Sequence, residues 1–342
     1  MADTIYNMIE SLCKLRGVSG REKAVGMAAA EMLRQYVPDA EYADGSVTAH
    51  LGNDPDLPTL LLCAHLDQVG FLVTGITDDG FLRVGAVGGI DHRLLLGQPV
   101  AVMTKSQILR GVFSILPPHL LKGEQAVPDD AQLCVDLGYS SKEQIADIVS
   151  CGDAVYYNVA PKRLKNHKMT APALDDRCGV AALIRTAELL SESKKLRCNV
   201  IFVFSGQEER SGRGAKKAAY QFAADYAIAV DVTFGMAHGE DPSECMELGK
   251  GAAIGISSVL SKELSDALLQ TAINENIPYQ IEVMPGTTGT DADSLALAPG
   301  GSASGTVSIP LRNMHTPVEV IDLEDIEKTA QLLAKYAERC GK

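Results

Sequence analysis

TLLLCAHLD, running from Thr59 to Asp67, is a continuous apolar run that ends in a histidine and an aspartate. A run this short and this apolar predicts a strand covered on both faces, as in the sheet of an α/β protein. The same reading applies to NVIFVFSGQEE (199–209), YAIAVDV (226–232) and GTVSIPLRNMH (305–315), each closing on His, Asp or Glu or carrying one near its end. PYQIEVM (278–284) is a further strand. Helical patterns separate the strands, over Asp176–Ser193, Arg213–Phe222 and Lys262–Asn276, and a last helix over Leu323–Arg339 has Asp322 as candidate N-cap. Towards the N-terminus, residues 3–15 have helical periodicity. Ser19-Gly20-Arg21-Glu22 reads as a capping box, opening a helix that runs to about Tyr36. Alternating strands and helices predict a central sheet flanked by helices.

From about Gly70 to Pro161 the texture changes. GFLVTGIT, GFLRVGAV, QPVAVMT, ILRGVFSI and DAVYYNV are short strand-like pieces punctuated by Asp-Gly, Gly-Gly and Pro-Pro, and only KEQIADIV (142–149) reads as helix. Short strands at close spacing predict a small barrel or sandwich inserted into the α/β pattern.

Composition narrows the function. A net charge of −13 supplies no basic stripe and argues against nucleic acid as a partner. The absence of Trp argues against a sugar-stacking cleft. No apolar run reaches the roughly 18–20 residues of a membrane span. The eight cysteines form no C-x-x-C pair, and several lie in apolar segments where a thiol acts as a small hydrophobe. These features read as a reduced, cytoplasmic protein.

Ligands of α/β folds bind outside the strand ends. His65, Glu209, Asp231 and His315 lie at or just after such ends, and Asp175 precedes a strongly patterned helix. Taken singly, each has a structural explanation. Asp175 and Asp176 could simply cap a helix, Glu208 and Glu209 could be a solvated turn, and a terminal Asp or His is common. Taken together they suit two hydrolytic metal ions. His65 and Asp231 serve one ion, Glu209 and His315 the other, and Asp175 bridges. Glu208 remains as general base, and Asp67, two residues after His65, is placed to orient its ring. Two divalent ions would offset the crowded carboxylates. His50, His92, His119, His167 and His238 lack this setting and read as surface or structural. No G-x-S-x-G elbow, Walker loop, H-E-x-x-H or EF-hand loop is present, and GKGAAIG (249–255) has the wrong glycine spacing for a dinucleotide fingerprint.

The motifs GVSGRE (17–22), AHLDQVG (64–70), GQPVAV (97–102), PPHLL (117–121), LGYSSKEQ (137–144), ALDDRCG (173–179), GQEERSGRGA (206–215), AVDVTFG (229–235), GTDA (289–292) and SIPLRNMHTPVEVIDLEDIE (308–327) span nearly the whole chain. In this series the sequence resembles the dinuclear metallo-aminopeptidases that assemble as tetrahedral dodecamers. These are glutamyl, leucyl and lysyl aminopeptidases of the di-zinc exopeptidase clan, some of whose members carry an endoglucanase label. The resemblance implies a zinc exopeptidase-like α/β fold, with a central mixed sheet flanked by helices and an inserted small β-barrel domain. It implies a discontinuous catalytic domain (1–70 and 163–342) and a dimerisation domain (71–162). It implies His65, Asp175, Glu209, Asp231 and His315 as ligands of two divalent ions per subunit, zinc or cobalt. Glu208 would be the base and Asp67 the partner of His65, with a cis bond between Asp175 and Asp176. The expected partners are peptides and further copies of the chain, as dimers building a dodecamer. The sequence departs from the family pattern at Gln68 (commonly Glu), at Ser205-Gly206 (before Gln-Glu-Glu, the family commonly has Val) and at Thr233-Phe234 (commonly Thr-Pro).

The expected activity is removal of N-terminal residues through a metal-activated water. A deacylase or dipeptidase would use the same scaffold and donor set. A glycosidase with paired carboxylates would need neither His65 nor His315 and would tolerate chelation. A non-catalytic metal-binding assembly protein would not need Glu208.

Overall fold

A computed structural model describes residues 2–115, 119, 133–193 and 195–340. The chain begins with α1 (Ala2–Lys14), α2 (Lys23–Arg34), β1 (Glu41–Ala43), β2 (Ser46–Leu51) and β3 (Thr59–His65). The next strands are β4 (Gly70–Ile76), β5 (Leu82–Val87), β6 (Pro99–Met103), β7 (Ile108–Phe113), β8 (Cys134–Asp136) and β9 (Ala154–Tyr157). After β10 (Lys162–Arg163) and β11 (Lys168–Ala171) come α3 (Leu174–Ser191), β12 (Asn199–Ser205), α4 (Glu208–Ser211), α5 (Arg213–Phe222) and β13 (Tyr226–Phe234). The chain continues with β14 (Ala252–Ser257), α6 (Lys262–Glu275), β15 (Tyr279–Met284), α7 (Ala292–Leu295), β16 (Ala303–Arg312), β17 (Glu319–Asp322) and α8 (Leu323–Ala337).

The central sheet is mixed. Its order is β1-β2-β12-β3-β13-β16-β17-β11-β10, with β14 and β15 branching from β16. β12, β3, β13 and β16 are mutually parallel at its centre. These are the apolar runs of the sequence, and they are apolar because both faces are covered. Leu60, Leu62, Phe202 and Phe204 pack under α1, α2, α3 and α8, while Leu61, Cys63, Ile201 and Val203 pack under α5 and α7. β4 to β9 close into a barrel in the order β4-β5-β8-β7-β6-β9, filled by residues that include Phe71, Val100, Phe113 and Val155. Among the described residues no helix is long and apolar enough to cross a membrane.

Several local expectations need correction. α2 starts at Lys23, and Ser19 does not cap it. The Glu22 carboxylate accepts from Gly20 N and, across the fold, from Gln207 N, while Ser19 N, which the box would give it, donates to Gln68 O. Residues 142–149 form a 3₁₀ turn at Lys142–Gln144 and then further turns, because Ile145, Ile148 and Val149 are drawn into the barrel core. β1, β2, β8, β10, β11, β14 and β17 carry no clear signal in the sequence: most are short or polar, and β14 is rich in Gly and Ala. The Asp322 cap is present, accepting from Glu324 N. Of the PPHLL motif only His119 lies among the described residues, and it is exposed.

Candidate metal centre

The parallel strands place the first donors. Ser205 pairs with His65, and Ala229 pairs with Cys63. Asp231 therefore reaches the level of His65, two residues further along each strand and on the same face. α3 delivers the third residue. Its first turn is irregular: Ala173 takes positive φ, Asp175 and Asp176 are non-helical, and the bond between them is cis. Glu319 holds this turn, its Oε2 accepting from Leu174 N (2.7 Å) and Asp175 N (3.2 Å). Oε1 of the same carboxylate accepts from His315 N at 2.9 Å. One buried glutamate thus fixes two candidate ligands on different elements.

The Asp175 carboxylate lies between the two imidazoles. Its Oδ1 is 3.1 Å from His65 Nε2, and its Oδ2 is 3.1 Å from His315 Nε2. His65 Nε2 also lies 3.9 Å from Asp231, and His315 Nε2 lies 3.6 Å from Glu209. Among the described residues two sets have donor atoms all within 4.8 Å of one another: His65, Asp175 and Asp231, and Asp175, Glu209 and His315. Asp175 belongs to both. His315 is aimed by a 2.6 Å contact from Nδ1 to Gly89 O, contributed by the barrel region.

Asp67 contacts His65 chiefly through its main chain. His65 Nδ1 lies 3.1 Å from the Asp67 main-chain carbonyl, whereas the carboxylate stands 3.7 Å away. That carboxylate instead accepts from Glu208 N (2.9 Å) and Glu209 N (3.2 Å), anchoring the turn that carries both glutamates. Its negative charge there suits the start of α4. Asp176 belongs to neither donor set and accepts from His65 N (3.0 Å) and Gly179 N (3.1 Å). Arg177, fully buried, donates to Leu12 O, Leu15 O and Gln68 Oε1, tying the end of α1 to the residue after Asp67.

The electrostatics are those of crowded acids short of cations. Burial opposes protonation of His315, but its hydrogen bond to Asp175 and the charges of Glu209 and Asp175 prevail and raise its pKa to about 9. His65 is likewise raised, against its burial, by Asp175, Asp231 and Glu208. Burial and neighbouring acids push Glu208 to about 7 and Glu209 to about 8. Burial raises Asp231 too. Glu209 Oε1 is buried and has no hydrogen-bond partner. Two imidazoles and three converging carboxylates, one of them with an orphaned buried oxygen, fit divalent cations.

Glu319 and Asp291 are site residues that the sequence alone does not single out. Asp291 is buried, accepts from Ser205 Oγ and Cys63 Sγ, and has an unpartnered Oδ1. The only signal is an acidic residue inside an otherwise apolar or tightly turned segment, VEVI or GTDA.

Gly206 explains one departure from the family pattern. A Cβ here would stand 2.4 Å from Gly45 O, a main-chain atom. Gly206→Val should therefore destabilise the fold by about 1–3 kcal/mol, read as a lower denaturation midpoint in urea. An unchanged midpoint would mean the β1–β2 turn yields freely.

A histidine–carboxylate cluster at the ends of parallel strands defines the chain, at the level of class, as a metal-dependent α/β hydrolase. Residues 45–332 match the family model described as M42 glutamyl aminopeptidase. The chain belongs to that family and is a metallo-aminopeptidase, a hydrolase acting on peptide bonds. It is 31% identical to the lysyl aminopeptidase of Pyrococcus furiosus, covering 96% of this chain and 95% of the relative. Its fold superposes on an aminopeptidase from Desulfurococcus kamchatkensis with a TM-score of 0.93 and 34% identity, over 99% of this chain and 96% of that one. The TET1 peptidase of Pyrococcus horikoshii, which can assemble into a tetrahedron or a large octahedral shell, matches with a TM-score of 0.87 and 32% identity over 97% and 99% of the two chains.

Proposed function

We propose that this aminopeptidase hydrolyses the first peptide bond of peptides with two divalent ions per subunit, zinc or cobalt. His65, Asp175 and Asp231 would hold one ion, and Asp175, Glu209 and His315 the other. The observation that carries this reading is the sharing of Asp175 between two donor sets beside Glu208. When bound, the ions acidify a water and polarise the scissile carbonyl. Glu208 takes the proton of the attacking water and later delivers it to the leaving amine. Asp67 holds the backbone from which Glu208 projects, and Glu319 keeps Asp175 and His315 in register.

The reading extends to organisation. Residues 1–70 and 163–342 form the catalytic domain, and 71–162 a barrel domain used in dimer contacts. Dimers assemble into a dodecamer, a reading supported by the dodecamer named for the similar PhTET1-12s and the tetrahedron named for the TET1 peptidase. A cytoplasmic location is supported by eight free cysteines.

The test compares aminoacyl-anilides with N-acyl amino acids before and after chelation. Anilide hydrolysis is expected to vanish with EDTA and to return on adding Zn²⁺ or Co²⁺. Activity surviving complete metal removal would sink the reading, and preference for N-acyl substrates would favour a deacylase.

A further inference from the structure

Beside the metal centre, on its β2 side, lies a cavity of about 1020 Å³. Its walls come from the start of α2, the β1–β2 turn, the start of α5 and Met103 at the end of β6. Gly206 and Gln207, the two residues before Glu208, line it. The cavity wall thus directly follows Ser205, the β12 residue paired with His65, and includes Gln207, the residue that caps the short helix carrying Glu208.

Its charge is opposite to that of the protein. Arg21, Lys23, Arg213 and Lys217 line it, on a chain of net charge −13. Lys217 is paired with Asp44 (2.7 Å). Glu22 is buried and turned inward onto Gly20 N and Gln207 N. Among the described residues Arg21 donates to the carbonyl of Gly20 (3.0 Å). Lys23 and Arg213 have no acidic partner within ion-pair distance among the described residues. Arg213 shares the charge of Asp44 with Lys217, and four cations against Asp44 and the inward-turned Glu22 leave the concavity net positive, an anion site.

A short peptide has the matching polarity. Its ammonium end suits the carboxylate-rich metal centre, and its free carboxylate, two or three residues on, would fall in this cavity. We propose that the cavity is a downstream subsite in which Arg21, Lys23 and Arg213 bind the C-terminal carboxylate of short peptides. This rests on the aminopeptidase reading and adds to it a preference for short substrates with a free acid end. Arg can grip the carboxylate bidentately, while Lys supplies a point charge.

The experiment measures native protein and the Lys23→Gln/Arg213→Gln double variant on three substrates sharing one N-terminal residue. These are a tripeptide as free acid, the same tripeptide as C-terminal amide, and the aminoacyl-anilide, which ends before the cavity. For the native protein, KM for the free acid should be roughly tenfold below that for the amide. The difference should collapse in the double variant while anilide kinetics stay unchanged. Equal KM values for acid and amide in the native protein, or a preference that survives in the variant, would overturn the subsite and leave the aminopeptidase reading standing. A native protein that fails to cleave the anilide would overturn both.

Discussion

Glu208→Gln should lower kcat by roughly 10²–10⁴-fold while leaving both metal ions in place and the melting temperature unchanged. The substitution keeps the side chain's shape and removes its charge, and with it the capacity to take a proton. The backbone of Glu208 is held by Asp67, and the side chain is half-buried at the edge of the cluster. Burial and the charges of Asp291, Asp175 and Asp67, against the opposing pull of His65, raise its pKa to about 7. A carboxylate so tuned would be about half ionised at neutrality, more so with cations bound, and basic enough to accept a proton. Its protonation as pH falls should produce an acid limb in kcat/KM at or below pH 7, since bound cations can only pull the pKa down. In the variant that limb should disappear together with most of the activity. A Glu208→Gln protein with full metal content and native kcat would show that another group moves the proton.

Asp175→Asn should strip the protein of both ions. The carboxylate offers Oδ1 towards His65 and Oδ2 towards His315, and among the described residues no other belongs to both donor sets. An amide has one acceptor oxygen and no charge, so each set loses an anionic ligand or its geometry. The loss should exceed the roughly 10–100-fold that removing an outer hydrogen-bond partner of a ligand costs. Metal content per subunit, measured by plasma mass spectrometry after dialysis against buffered zinc, reads the effect directly. Asp231→Asn is the comparison, because it should weaken only the ion shared with His65. If Asp175→Asn retains one tightly held ion, Asp175 serves a single metal; if it retains two, the shared-carboxylate reading fails.

Much of this architecture is legible in the order of the amino acids. The apolar runs at 59–65, 199–205, 226–232 and 305–311 are the parallel centre of the sheet, because strands covered on both faces must be apolar throughout. The barrel is legible from its short strands and turn residues. The 142–149 segment departs from its helical pattern because that spacing of apolar residues instead serves the barrel core. The Ser19–Glu22 box fails for a related reason: Ser19 N is taken by Gln68 O after β3, and the Glu22 carboxylate serves Gly20 N and the distant Gln207 N instead.

The sequence by itself determined the four central strands and most of the barrel, the donors at the strand ends and the chemistry those donors suit, because strand burial and side-chain type are properties of a few adjacent residues. It did not determine the wiring. Only the tertiary structure put Asp175 between His65 and His315, gave the Asp67 carboxylate to the Glu208 and Glu209 amides, and placed Glu319 beneath both candidate ligands on α3 and after β16. It also gathered Arg21, Lys23 and Arg213 around one cavity from segments far apart in the chain. Hydrogen bonds and charges act over a few ångströms of space, and which groups come within that range is settled by how the sheet, helices and barrel pack.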